Sequence, residues 1–230
     1  MKNKNISINR KPFFYPIIIG IFLLLLAIFV KKRAGNTNKN YIYKEDFLHQ
    51  EDYAQLLDEL KLYDERLAAS KENMPNLIRY NLVIDNNSST SMNPITQLLK
   101  KYEREIRGFT HNSAIYLAHN FPIEYRKYVP GSFMKKHKDT LIYKIPQYEC
   151  VLTLSNTTDS VTNMEATPLK AKPNSLIIVK ALGIEHEVTP VTKGERKFLK
   201  FIFTATDERA ALTPTQSDNY AWRWSVFFHK

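Results

Sequence analysis

The sequence predicts a mainly β (α+β) domain of the double-stranded β-helix, or jelly-roll, kind, braced by N-terminal helices and preceded by one transmembrane helix. Three observations lead there: an 18-residue apolar run near the N-terminus, two segments of helical periodicity in the first half, and eight short β-prone runs after about residue 114. Helices followed by many short strands with turn residues between them fit a sandwich or jelly roll better than an alternating α/β fold.

Residues 1–12 form a basic tail with Lys2, Lys4, Arg10 and Lys11. Residues 13–30, FFYPIIIGIFLLLLAIFV, carry no charge. At 1.5 Å per residue they reach about 27 Å as a helix, close to a hydrocarbon core of about 30 Å. The run is long for the apolar part of a cleaved signal peptide. It also meets Lys31, Lys32 and Arg33 with no small-x-small cleavage site, so it reads as an uncleaved signal anchor. Basic residues on both sides leave the positive-inside rule undecided. The default for such an anchor is a cytoplasmic N-terminus with the domain in a lumen of the endoplasmic reticulum kind. Asn86, Asn87 and Asn156 begin glycosylation tripeptides that suit that compartment, although such tripeptides arise easily in a chain this rich in Asn.

The chain of 230 residues has a formal charge of +10, which invites a nucleic-acid reading. Nine Lys or Arg lie in residues 1–44, where there is no acid, and the remainder holds 24 basic against 23 acidic residues. The positive charge therefore belongs to the tether, where it meets anionic headgroups, and the near-neutral domain argues against nucleic acid as a partner. One cysteine, Cys150, excludes an intrachain disulfide framework and a Cys-rich zinc site. Its place in the alternating run YECVLTL predicts a buried, inert thiol.

After a polar linker over 31–42, residues 43–230 suffice for one domain with a substantial core. Tyr53, Leu56, Leu57, Leu60, Tyr63 and Leu67 make one apolar stripe, so the domain is expected to open with a core-facing helix. NLIRYNLVID alternates like a strand, and NNSSTS reads as a loop. A second helix is expected to be capped by Asn93, to hold Pro94 in its first turn, to bury Ile95, Leu98, Leu99, Tyr102 and Ile106, and to stop at Gly108. The β-prone runs follow: AIYLA, IEYRKYV, FMKKHKD, YECVLTLS, SLIIVKA, EHEVTPV, RKFLKFIFT and AWRWSVFFH. ATDERAALTPTQSDNY reads as a surface loop or a substrate lid, and Trp222 and Trp224 as packing residues. His49, His111, His119 and His229 have no partner at ligand spacing and receive no role.

The chemistry concentrates in the C-terminal half. Residues two apart on a strand share a face, so His137 and Asp139 in HKD present an imidazole and a carboxylate side by side. His186 on a later run can supply a third ligand, because a jelly roll brings distant strands together at its mouth. Two histidines and one carboxylate on one face of an octahedron suit Fe(II), with the other positions open for a chelating 2-oxo acid and dioxygen. Arg196 follows PVTKGE, read as a turn that returns the chain on the strand next to His186, where a guanidinium can take the far carboxylate of 2-oxoglutarate. A binding domain that keeps the pocket without the chemistry, and an oxygenase acting on a lipid or nucleobase, remain the alternatives.

YVPGSFMKKHKD resembles the prolyl 4-hydroxylase-like Fe(II)/2-oxoglutarate-dependent dioxygenases through Tyr128, Gly131, His137 and Asp139. HEVTPVTKGERKFLKF is similar to their distal motif, in which a His is followed by Val, a PV pair, a Gly and then Arg or Lys ten after the His. YKEDFLHQEDYAQLLDEL is similar to the segment that opens their domain, so the resemblance spans about residues 43–204. It implies iron held by His137, Asp139 and His186, and 2-oxoglutarate held by Arg196 with help from the Tyr128 hydroxyl. It also implies ascorbate as a reductant, succinate and carbon dioxide as co-products, and a prolyl or lysyl side chain of a protein or peptide as substrate. SVTNMEATPLK stands where family members carry a Gly-Gly-Glu-Thr-like segment, which leaves open whether this segment contacts the co-substrate, and collagen-like substrate specificity does not carry over. Arg196 in place of the Lys of collagen-type members points to the broader relatives.

Overall fold

The computed structural model describes residues 36–38, 41–69, 79–84, 93–119 and 121–210. The apolar run 13–30, the NNSSTS loop, the AWRWSVFFH run and His229 lie outside the described residues. No helix among the described residues is long and apolar enough to cross a membrane.

The domain begins with two short strands, β1 (Asn36–Asn38) and β2 (Tyr41–Lys44), where the sequence suggests a linker and then a helix. Tyr41 and Tyr43 are buried while Ile42 and Lys44 are half-buried, and β2 pairs antiparallel with the strand at Ser175–Lys180. Backbone pairing to an edge, which leaves no periodicity in four residues, is the force that the sequence does not display. Helix α1 (Gln50–Asp64) buries Leu56 and Leu60 as its stripe requires. It also buries Asp52, whose carboxylate takes the Lys101 ammonium at 2.8 Å and the Tyr102 hydroxyl. Those two bonds hold the Asp52 carboxyl below its ordinary value against the opposing effect of burial.

Two strands follow, β3 (Ala68–Ala69) and β4 (Arg79–Ile84). The expected second helix is two: α2 (Pro94–Lys101) and α3 (Glu103–Thr110). Asn93 caps α2 by accepting the Ile95 N–H at 2.9 Å. The break falls at Tyr102, whose hydroxyl binds Asp52 and accepts the His49 N–H at 2.8 Å, so tertiary bonds fix the residue outside helical geometry. The stop expected at Gly108 is not observed. The chain continues to Thr110 and ends at His111 in a left-handed conformation, with its N–H on the Gly108 carbonyl.

The remaining strands are β5 (Tyr116–Leu117), β6 (Ile123–Tyr128), β7 (Met134–His137), β8 (Gln147–Asn156), β9 (Thr162–Met164), β10 (Thr167–Leu169), β11 (Ser175–Lys180), β12 (His186–Val188) and β13 (Arg196–Thr204). Every pairing between them is antiparallel. The larger sheet runs β1-β2-β11-β8-β13-β6-β4-β3 with β5 beside β13, and the smaller runs β10-β9-β12-β7. Two antiparallel sheets packed in this way are a jelly-roll-like sandwich.

Alternation on the central strands sorts the core. Ile123 and Tyr125 on β6, Cys150, Leu152 and Leu154 on β8, and Leu199, Phe201 and Phe203 on β13 join the helices in one cluster. Cys150 is fully buried there, as expected from its strand, and burial pushes its thiol well up. Residues one position out of phase face the small sheet: Glu124, Arg126 and Tyr128, then Glu149, Val151 and Thr153, then Arg196, Phe198 and Lys200. On that inner face apolar packing is split, with Tyr128, Phe198 and Val191 in one small cluster and Tyr43, Met164, Ile177 and Val179 in another. The polar groups there are the site.

Candidate active site

His137 ends β7 and His186 begins β12, and the two are direct register partners in the small sheet, with ring centroids 4.4 Å apart. Asp139 lies two residues beyond the end of β7, so the carboxylate comes from the loop rather than from the strand face expected for it. The backbone there turns away to meet the end of β11, where the Leu182 N–H donates to the Asp139 carbonyl at 3.1 Å. Asp139 Oδ1 is 3.7 Å from His137 Nε2 and Asp139 Oδ2 is 3.5 Å from His186 Nε2. One donor atom from each of the three residues falls within 4.8 Å of the others.

The donor set fits a divalent transition metal. The Lys135 carbonyl can only accept, so His137 Nδ1 carries the proton across 2.8 Å and leaves Nε2 free to ligate. His186 Nδ1 faces the Ile184 carbonyl at 3.4 Å in the same sense. Metal–ligand bonds of about 2.1 Å in an octahedral set place adjacent donors about 3 Å apart, so the His–Asp separations of 3.7 and 3.5 Å lie a few tenths of an ångström wide of it, and the widest separation, within 4.8 Å, has further to close. Burial works on all three groups. It lowers His186, helped by the charge of His137. It also acts to lower His137, but the Asp139 carboxylate and the Lys135 carbonyl outweigh it and raise that imidazole. It acts to raise Asp139, where Lys200 and the two histidines prevail and hold the carboxyl well below its usual range.

The pocket beside these ligands is lined by both sheets, with Tyr128, Val151, Thr162, Ile177, Arg196 and Phe198 among its walls. Arg196 and Tyr128 are register partners on β13 and β6. The expectation that Arg196 returns beside His186 is not met. β12 belongs to the small sheet and β13 to the large one, so residues 189–195 cross between sheets and Arg196 faces the histidines across the sandwich. Gly194 allows that crossing: its φ is +77°, and a Cβ there would lie 2.3 Å from the Thr157 carbonyl oxygen. Gly131, at φ +92°, does the same for the turn from β6 to β7, and its N–H donates to the Val191 carbonyl at 2.9 Å, joining the two crossings.

Arg196 is 4 % exposed and donates through Nη1 to Thr162 Oγ1 and through Nη2 to Thr153 Oγ1, each at 3.1 Å. Its Nε and the Tyr128 hydroxyl are buried with no hydrogen-bond partner among the described residues. Burial pushes the guanidinium down to about 10, a shift that the nearby Tyr128 and Tyr43 partly offset. A buried cation next to two orphaned donors is costly unless an anion completes it.

Sequence reasoning missed four polar residues of this face. Thr162 comes from SVTNMEATPLK, which folds as the β9–β10 hairpin and so brings a hydroxyl to Arg196 after all. Thr153 has no signal beyond strand alternation. Lys200 shares the face of Arg196 and Phe198 in RKFLKF, and Glu149 is a lone acid in an apolar strand; both were visible as misplaced charges.

No family model matches this sequence, and no curated protein matches it significantly. Solved structures do match in three dimensions. An oxidoreductase of the 2OG-Fe(II) oxygenase family from Burkholderia pseudomallei aligns with TM-score 0.56 and 13 % identity, covering 74 % of this chain and 88 % of that one. The fold is that of the 2OG-Fe(II) oxygenases. A prolyl-4-hydroxylase from Pseudomonas putida aligns with TM-score 0.54 and 17 % identity over 72 % of this chain and 92 % of its own. HygX from Streptomyces hygroscopicus, solved with nickel and 2-oxoglutarate bound, aligns with TM-score 0.53 and 11 % identity over 77 % of this chain and 89 % of its own.

Proposed function

We propose that this chain is an Fe(II)- and 2-oxoglutarate-dependent dioxygenase that hydroxylates a C–H bond, on a prolyl or lysyl side chain of a protein or peptide. The observation that carries the reading is the pairing of two features in one pocket. His137, Asp139 and His186 converge as a metal-ligand set, and across from them Arg196 Nε and the Tyr128 hydroxyl lie buried and unpartnered. A dianion with a chelating end and a second carboxylate answers both. The fold shared with structures such as the P. putida prolyl-4-hydroxylase supports the substrate class.

Bound iron and 2-oxoglutarate supply the oxidation, with succinate and carbon dioxide as co-products and ascorbate as the reductant that restores the metal. The residues of the chain do the rest. Lys135 fixes the His137 tautomer, Thr153 and Thr162 hold the Arg196 fork in place, and Tyr128 offers a second donor beside it. Val151, Ile177 and Phe198 exclude water from the space between. The test is succinate release from 2-oxoglutarate by the purified full-length chain with Fe(II), in the absence of any substrate. Release that stops when iron is chelated supports the proposal, and no release at any iron concentration rejects it in favour of a silent binding domain.

We place the protein at a membrane as a single-pass chain anchored by residues 13–30, with the domain on the lumenal side. The support is the uncharged 18-residue run with nine basic residues and no acid in the first 44. Alkaline carbonate is expected to leave the full-length protein in the membrane pellet, because a spanning helix buries its apolar surface in lipid. Recovery in the supernatant, or a mature N-terminus near residue 35, would point to a peripheral helix or a cleaved signal peptide.

A further inference from the structure

Asp139 is held in an unusual way. His137 and His186 belong to paired strands of the small sheet, whereas Asp139 follows β7 in a loop, where its carbonyl accepts the Leu182 N–H. Its side chain is met from the opposite sheet. Lys200 Nζ, on β13 between β8 and β6, lies 3.7 Å from Asp139 Oδ1, and the same ammonium is in direct contact with Glu149 Oε2 on β8. The Lys200 side chain is 15 % exposed and that of Glu149 4 %. Next to them lies a second buried pair, Glu124 with Arg126, and Glu124 is the register partner of Lys200.

Buried ion pairs seldom add net stability, because desolvating two charges offsets their attraction, and apolar residues of the same volume often do as well. Folding energy alone therefore gives no account of an ammonium on the inner face of the central strand. Its position does. An ammonium at one oxygen of a ligand carboxylate fixes the rotation of that group and weakens that oxygen as a donor, which leaves the second oxygen for a metal. A carboxylate free to rotate can instead chelate through both oxygens and occupy a position that the co-substrate needs.

We propose that Lys200, held in place by Glu149, is a positioning residue whose charge, 3.7 Å from Oδ1 of Asp139, biases the rotation of that carboxylate and keeps coordination positions open for the two-point chelation of 2-oxoglutarate. This rests on the metal site proposed above. Lys200 acts through Asp139, and Arg126 is not its substitute because Glu124 already engages that guanidinium.

The experiment uses the purified full-length chain in detergent, loaded anaerobically with Fe(II) and titrated with 2-oxoglutarate, with chelation followed by visible charge-transfer absorption. Lys200→Met should still load with Fe(II) at saturating metal, while its affinity for 2-oxoglutarate falls by about 10-fold or more, the scale of one lost charged interaction. Lys200→Arg should recover most of the loss. The deciding variant is Lys200→Met with Glu149→Gln, which removes both charges, leaves no orphaned carboxylate, and keeps a side chain of the same length whose amide can still donate to Asp139, which Glu149 also contacts. The double variant should remain defective in 2-oxoglutarate binding. Wild-type affinity in the double variant would overturn the inference, since Lys200 would then serve only to neutralise Glu149, and so would wild-type affinity in Lys200→Met. A wild-type chain that binds iron but forms no chelate with 2-oxoglutarate is the separate result that rejects the underlying reading.

Discussion

His137→Ala and Asp139→Ala should each reduce Fe(II) affinity by well over about 100-fold and abolish succinate release, since changes to the partners of ligands alone typically cost 10- to 100-fold. The geometry explains why neither is redundant. Among the described residues three donors converge, and the other carboxylate near them, Glu149, is engaged by Lys200. Asp139 is the sole anion of the set, so its loss also leaves Lys200 facing an incoming cation with one neutralising carboxylate fewer. Both variants should keep the fold, because His137 and Asp139 lie at and beyond the end of β7 and outside every apolar cluster. Circular dichroism matching the wild type, together with metal content by atomic emission, checks the two halves of this expectation. Retained iron in both variants would show that the ligand assignment is wrong.

Arg196→Ala should leave metal binding intact and raise the 2-oxoglutarate requirement by about 10- to 100-fold, matching the roughly 1.5–3 kcal/mol contributed by hydrogen bonds to a charged group. It removes the charge partner of the far carboxylate and no ligand. The side chain is on the large sheet while both histidines are on the small one, so its removal leaves their pairing untouched. Arg196→Lys should be partly tolerated, as an ammonium supplies charge without the fork that Thr153 and Thr162 now hold. Titration of the metal-loaded variants with 2-oxoglutarate decides it. Equal affinity in wild type and Arg196→Ala would dismiss the clamp.

That His137, Asp139 and His186 come together was legible in the sequence because the HKD spacing is local and histidines are rare, six in the chain. HKD and a later His on a β-prone run suffice to suggest a centre, and seven of the eight expected strand runs appear as strands, the eighth lying outside the described residues. Topology was less legible. Nothing in PVTKGE distinguishes a hairpin from a crossing, so Arg196 was expected beside His186, when Gly194 instead carries the chain to the facing sheet. The β2 strand and the break at Tyr102 escaped for a related reason. Each is fixed by long-range bonds, to β11 in one case and to Asp52 in the other, that no local pattern reports. Thr162 shows the converse. A segment that departs from the family pattern still delivers a hydroxyl to Arg196, because the β9–β12 pairing and not the motif sets its position.

His137, Asp139 and His186 are expected to bind one metal ion that 2-oxoglutarate then chelates. Anaerobic titration of the full-length chain with Fe(II), first alone and then with 2-oxoglutarate, tests it most directly. The account predicts saturation at one iron per chain, visible charge-transfer absorption only when both are present, and loss of that absorption in His186→Ala. Absorption that persists in His186→Ala, or none in the wild type at saturating iron and 2-oxoglutarate, would contradict it.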